Sequence, residues 1–257
     1  MPVSTSSRVQ GFAAFVLAAA TAWAQPATNA IFAARAEQAF ARAQKEFAAR
    51  PGEPDAACQL GRASYDWAEF ATNAAQREQV AQVGVAACRQ LLAREPKSAP
   101  AHYYLAMDYG ELAQAEEPSI AAYKLIRDIE REFKAAASLD ERQDYAGPPR
   151  CLGLLYRDAP AWPISIGSKH KAREFLDRAA ALAPGYPENQ LNLVESHVRW
   201  HQAPEAEKAW QKLAAIWPAA RTNLTGLAWE SDWADWTARR AAVKADFENA
   251  FQRVPEP

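Results

Sequence analysis

Two prolines, Pro184 and Pro218, stand 34 residues apart and constrain this chain more than any other feature. Each follows a stretch in which small and large apolar residues recur at helical spacing. Ala172, Leu176, Ala179 and Leu182 precede the first proline, and Leu193, Ala206, Trp210 and Leu213 precede the second. A period of this length marks a repeated helix–turn–helix unit. Such a unit cannot bury its apolar face alone and must stack on copies of itself. The fold class this predicts is all-α, a solenoid of helical hairpins. Strand-type alternation is missing throughout.

Further units can be placed around this pair. Phe32, Ala36, Phe40, Ala43 and Phe47 make one apolar stripe, so a first helix is expected over about 29–50, ended by Arg50-Pro51-Gly52-Glu53-Pro54. Hairpins are expected over about 54–94, 98–139, 147–183 and 187–215, with a closing helix over about 231–254. The first two hairpins are each about 11 residues longer than the 34-residue unit. The extra residues are expected between the paired helices, around Glu69–Glu78 and Ala113–Ala122. Tyr145-Ala-Gly-Pro-Pro149 breaks the chain before the third hairpin, and Ser168 is expected to cap that hairpin's second helix. Six of the nine tryptophans fall between residues 200 and 236, and a well-packed closing end is the favoured reading.

The amino end reads as an address. Arg8 precedes the apolar run Val9–Trp23, and Ala22-Trp23-Ala24 has the small-x-small pattern of a cleavage site. Residues 1–24 are therefore expected to be a signal peptide cleaved after Ala24, leaving a periplasmic or secreted chain that begins at Gln25. Without Arg8, 28 basic side chains face 31 acidic ones, and this near-balance argues against nucleic acid as a partner. Export permits disulfides. Cys58 and Cys88 lie symmetrically about residue 73, where a hairpin turn is expected. Two readings stand for them, a disulfide or two small buried residues, and Cys151 is read as core.

Chemistry is weakly signalled, and no cofactor is implied. His197 and His201 are four residues apart, as on one helix face of a metal site, but the glutamate of the zinc-protease motif is missing. A metal-dependent hydrolase at this pair is the least favoured reading, and the chain is expected not to be an enzyme. The connection from Asp158 to Gly167 stands out because it holds Trp162 between Pro160 and Pro163, with Ile164 and Ile166 following. Apolar residues in a loop need something to cover them. The loop is either a plug over the chain's own core or the lip of a ligand cavity or partner contact. Tyr156, Arg157, Trp162, Pro163 and Ile164 are the candidate contact residues.

The repeat positions resemble the tetratricopeptide repeat. A narrower set of motifs is similar to the T component of tetratricopeptide-associated TRAP transporters, the TatT-like family. They are Leu152-Gly-Leu-Leu-Tyr-Arg-Asp-Ala-Pro160, Trp162-Pro-Ile-Ser-Ile-Gly167, Ala101-His-Tyr-Tyr-Leu-Ala106 and Tyr186-Pro-Glu-Asn189. The resemblance implies an all-helical periplasmic protein that oligomerises with itself and pairs with, or presents a ligand to, a periplasmic substrate-binding protein. This chain differs from lipidated members in having no cysteine after its apolar run. The function expected is a non-enzymatic adaptor for a partner protein and a small apolar ligand. The alternative is a pure periplasmic scaffold for protein assembly.

Overall fold

The computed structural model describes residues 26–115 and 120–255, with side chains from residue 30 in the first segment and residue 124 in the second. The expected signal peptide and its cleavage point after Ala24 lie outside the described residues. Ten α-helices are described: α1 (Pro26–Ala49), α2 (Pro54–Ala68), α3 (Ala74–Leu92), α4 (Ala99–Ala115), α5 (Ile120–Leu139), α6 (Gln143–Asp158), α7 (Lys169–Leu182), α8 (Pro187–Arg199), α9 (Ala203–Asn223) and α10 (Glu230–Phe251). Among the described residues there is no strand, only one isolated bridge between Ala161 and Gly167. Helices α2/α3, α4/α5, α6/α7 and α8/α9 form four stacked hairpins.

Local chemistry explains where the helices begin. Pro54 and Pro187 open α2 and α8, where a missing N–H is harmless. The Asn73 side chain accepts from the Gln76 N–H at 2.9 Å and starts α3, and Ser168 caps α7 through the Lys171 N–H. The expected breaker before the third hairpin is a left-handed turn. Asp144, Tyr145 and Ala146 have φ of 49°, 55° and 65°, after which the right-handed helix resumes.

The first of the long hairpins spends its extra residues differently from the sequence expectation. The turn between α2 and α3 is only Glu69–Asn73, because the Asn73 cap starts α3 early and the added residues extend that helix to 19. In the second, α4 runs to Ala115 and α5 starts at Ile120, around residues outside the description. Pro218 does not end the fourth hairpin either. It is exposed, so water can satisfy the carbonyl it frees, and α9 continues to Asn223.

Two apolar clusters run through the stack and meet at α6/α7. Tyr103, Ile129, Phe133, Leu152 and Leu155 anchor one, while Leu176, Leu191, Leu213, Trp236 and Phe247 anchor the other. The closing helix seals the second cluster, but it packs mainly on α8 rather than on α9. It thereby extends the inner row α2, α4, α6 and α8 instead of covering the outer one. Trp210, Trp233 and Trp236 are buried there, as the packed-end reading expects.

Cys58 and Cys88 do not pair. All three cysteines are free thiols, with Cys88 Sγ packed over Gly61. Nearby, α2, α3 and α4 approach closely around Gly84. A Cβ on Gly84 would lie 2.2 Å from Asp108 Oδ2 and 2.7 Å from Ser64 Cβ. The Asp108 carboxyl is wholly buried, and neither oxygen has a hydrogen-bond partner among the described residues. Desolvation, with Glu111 and Asp66 nearby, holds its pKa well above the usual carboxylate range.

Gly84→Val is expected to cost about 1–3 kcal/mol through overpacking, read by urea unfolding. Gly185→Ala, with nothing within 4 Å of the added carbon, should change little. Asp108 supplies a pH signature. The folded chain keeps a proton that the unfolded chain releases near the ordinary carboxylate pKa, so stability falls as pH rises above that value. Asp108→Asn should lose less stability than the parent between pH 5 and 8 in parallel unfolding curves. Curves that stay parallel across that range would contradict the assignment.

Candidate functional site: a charged, aromatic concave groove

The inner helices converge on a cavity of ≈ 180 Å³. Helix α2 contributes Arg62, Tyr65 and Asp66 and its C-cap Glu69, spaced i, i+3, i+4 and i+7, which is one helix face. Facing it, α10 contributes Asp232, Asp235, Trp236 and Arg239 at the same spacing. Between them lie Tyr103, Tyr104 and Met107 of α4, then Asp144, Arg150 and Leu154 of α6. Tyr186 and Glu188, at the start of α8, and Trp229, just before α10, complete the wall. The two ends of the stack meet beside the cavity, where Arg35 of α1 pairs with Glu230 of α10 at 2.5 Å.

Two guanidinium groups are built into this wall. Arg150 is buried, pairs with Asp144 at 3.2 Å and Glu188 at 3.5 Å, and lies 5.2 Å from the centre of the Tyr186 ring. Arg239 is also buried. It donates to Glu195 at 2.8 Å, Asp235 at 3.2 Å and the Asn192 side chain at 2.6 Å. Charges so placed tie α6 to α8 and α8 to α10, and each cation is held by more than one acceptor.

The carboxyl groups remain in excess. Asp66, Glu69, Asp144, Glu188, Asp232 and Asp235 face three guanidinium groups, Arg62, Arg150 and Arg239. Desolvation raises Asp66 to about 6 against the pull of Arg62, which lies 3.6 Å away with its side chain largely in water. Desolvation, then Glu188 and Asp66, raise Asp232 to about 7. Asp235 is likewise raised to about 7 by desolvation, opposed by Arg239. Glu69 is pushed well above its ordinary value by desolvation and Glu111, while accepting from the Tyr65 hydroxyl at 2.7 Å. Aromatic rings share the wall: Tyr186 meets Trp236 edge-on with centroids 5.2 Å apart, and Trp229 lies 6.1 Å from Trp236. The lining is therefore charged and aromatic rather than the apolar surface the sequence suggested. The stack turns charged positions of α2 and α10, far apart in sequence, toward one another.

The five candidate contact residues separate into two environments. Tyr156 is buried, donates to Glu130, and lies under Lys171 at 4.9 Å from its ring centre. Arg157 chelates Asp158 at 2.8 and 2.9 Å and reaches the Ser196 hydroxyl of α8. Both tie helices together and neither lines the groove. Trp162 and Ile164 stand 85% and 63% exposed, with Pro163, joined to Trp162 by a cis peptide bond, exposed between them. Ile166 turns inward against the first apolar cluster, and Ala159 is buried at the start of the loop, so the plug reading fits those two residues and not the loop's tip. The loop is closed at its neck by the Gly167 N–H, which donates to the Pro160 carbonyl at 2.8 Å. A Cβ on Gly167 would lie 1.9 Å from the Ala159 carbonyl oxygen, so only glycine fits there.

The histidine pair does not share a helix face. Helix α8 ends at Arg199, and His201 lies beyond it in the left-handed region at φ 55°. His197 is buried, and its Nδ1 is 3.1 Å from the Gln202 side-chain oxygen. Among the described residues no group of three or more His, Cys, Asp or Glu side chains could hold a metal ion. This arrangement does not support a metal-dependent hydrolase at His197 and His201.

Comparisons with known proteins bear on the fold. No protein-family model matches the chain, and no curated protein matches it. Among solved structures, TTC0263, a thermophilic TPR protein from Thermus thermophilus, aligns with a TM-score of 0.61. The two are 20% identical over 82% of this chain and 91% of that one. The MamA protein aligns at a TM-score of 0.43 and 18% identity, over 78% of this chain and 98% of that one. The first likeness, with the four stacked hairpins, makes the fold an all-α solenoid of the tetratricopeptide type.

Proposed function

We propose that this protein is an exported, non-enzymatic adaptor. It engages a partner protein through the Trp162 loop and carries a small ligand in the concave groove. The observation that carries the reading is the loop itself. A tryptophan and an isoleucine face solvent on a segment fixed at both ends, by the Gly167–Pro160 bond and by the Ser168 N–H on the Tyr156 carbonyl at 2.8 Å. Exposed aromatic side chains on a rigid support are what a partner's pocket recognises, because little ordering entropy opposes their burial.

The partner proposed is a TRAP-type periplasmic substrate-binding protein, in keeping with the TatT-like resemblance of the Trp162–Gly167 motif. Self-association through the same loop is the companion expectation. Tyr156 and Arg157 support the loop from below, so their truncation would act on stability as well as on binding.

Trp162→Ala combined with Ile164→Ser should leave the thermal midpoint close to that of the parent, because neither side chain is part of the core. The same variant should bind the cognate substrate-binding protein at least tenfold more weakly, the order expected for losing a central aromatic anchor. Surface plasmon resonance beside a melting curve measures both. Unchanged affinity, or a large fall in midpoint, would contradict the loop's assignment.

A further inference from the structure

We infer that the concave groove binds a short aliphatic di- or polyamine. The inference rests on reading the groove as the ligand-bearing face and names the chemistry of what it holds. Carboxylates stand on opposing walls, with Asp66 on α2, Asp232 on α10 and Glu188 at the start of α8. Arg150 and Arg239 are each already held by several acceptors, and Arg62, the third guanidinium of the wall, lies 3.6 Å from Asp66, so the six carboxyl groups outnumber the cations that could receive an anion. Asp232 makes no ion pair or hydrogen bond within the described residues. Tyr186 is 6% exposed, and its hydroxyl makes no hydrogen bond within the described residues and opens on the groove. That hydroxyl's charged neighbours are Glu188, Arg150, Asp144 and Asp232, all of them groove residues. It is an oxygen available to accept from an ammonium inside the cavity. A volume of ≈ 180 Å³ suits a short, thin ligand rather than a bulky one. Cationic ends suit carboxylates carried on separate helices, and the aromatic residues in the same lining, Tyr104, Trp229 and Trp236 among them, add π-surface that favours an ammonium group. A metal ion would need ligands gathered at one point, whereas these are spread around a ring.

The same arrangement gives a pH dependence. Asp232 faces Glu188 of α8, Asp144 of α6 and both Asp66 and Arg62 of α2, and its carboxyl titrates near neutrality. A bound ammonium needs the ionised form, so affinity should fall as pH drops from 8 to 5.5.

Isothermal titration with putrescine and spermidine at pH 8 tests the inference, with laurate and glutarate as apolar and anionic controls. Saturable binding of at least one amine is expected. It should weaken tenfold or more in Asp232→Asn, and also in Asp66→Asn, which guards against one variant failing to fold. No saturable heat from either amine, or parent-like affinity in both variants, would overturn the inference. Binding of laurate or glutarate without the amines would overturn the cationic assignment while leaving the groove a ligand site. If no probe binds, the amine assignment fails, and the Trp162 loop experiment still decides the adaptor reading on its own.

Discussion

The architecture depends on where α10 comes to rest. A solenoid's last hairpin exposes an apolar side that must be covered. Here the closing helix joins the inner row, fixed to α8 by the buried Arg239 and its bonds to Glu195 and Asn192. Trp236 packs beside it against Tyr186. A buried guanidinium tolerates few alternative positions, because losing one acceptor leaves an uncompensated charge. The pairing therefore acts less as a source of stability than as a register mark. Arg150 does the same one helix earlier, linking Asp144 to Glu188. With α10 on the inner row, the stack curls until Arg35 of the first helix meets Glu230. A trough thereby gains walls on both sides, α2 facing α10 across the groove.

That closure accounts for the electrostatics. Carboxylates on α2 and α10 lie far apart in sequence and would be ordinary solvated side chains on an open solenoid. Brought across a narrow space, they desolvate one another, and their protonation moves toward neutral pH. The groove and the Trp162 loop then occupy different parts of the molecule. The first is lined by the middle of α6 and the second follows its end. One rigid body can thus hold a ligand and a partner without the two competing for the same side chains.

Much of the fold was legible in the sequence because helical hairpins announce themselves through local pattern. The 34-residue spacing of Pro184 and Pro218 identified the repeat, although Pro218 proved not to end its helix. Asn73 was the missed signal in the first long hairpin: a capping residue there predicts a short turn and a longer α3. The groove was less legible. Arg62, Tyr65, Asp66 and Glu69 share a face at i, i+3, i+4 and i+7, and so do Asp232, Asp235, Trp236 and Arg239. Recognising those two faces as opposite walls requires knowing that α10 folds back onto α8, which is tertiary information. The Trp162 loop stood out in sequence for its apolar content, yet composition could not say whether it turned inward or outward. The answer is residue by residue, with Ile166 in and Trp162 and Ile164 out.

Closure of the stack is the central claim, and a distance between its ends tests it most directly. Nitroxide labels at Arg35→Cys and Glu230→Cys, in a background carrying Cys58→Ser, report that distance by double electron–electron resonance. The account predicts one narrow population within about 20 Å, two helix diameters. A broad distribution centred well beyond that value would mean an open superhelix, with no cavity between α2 and α10.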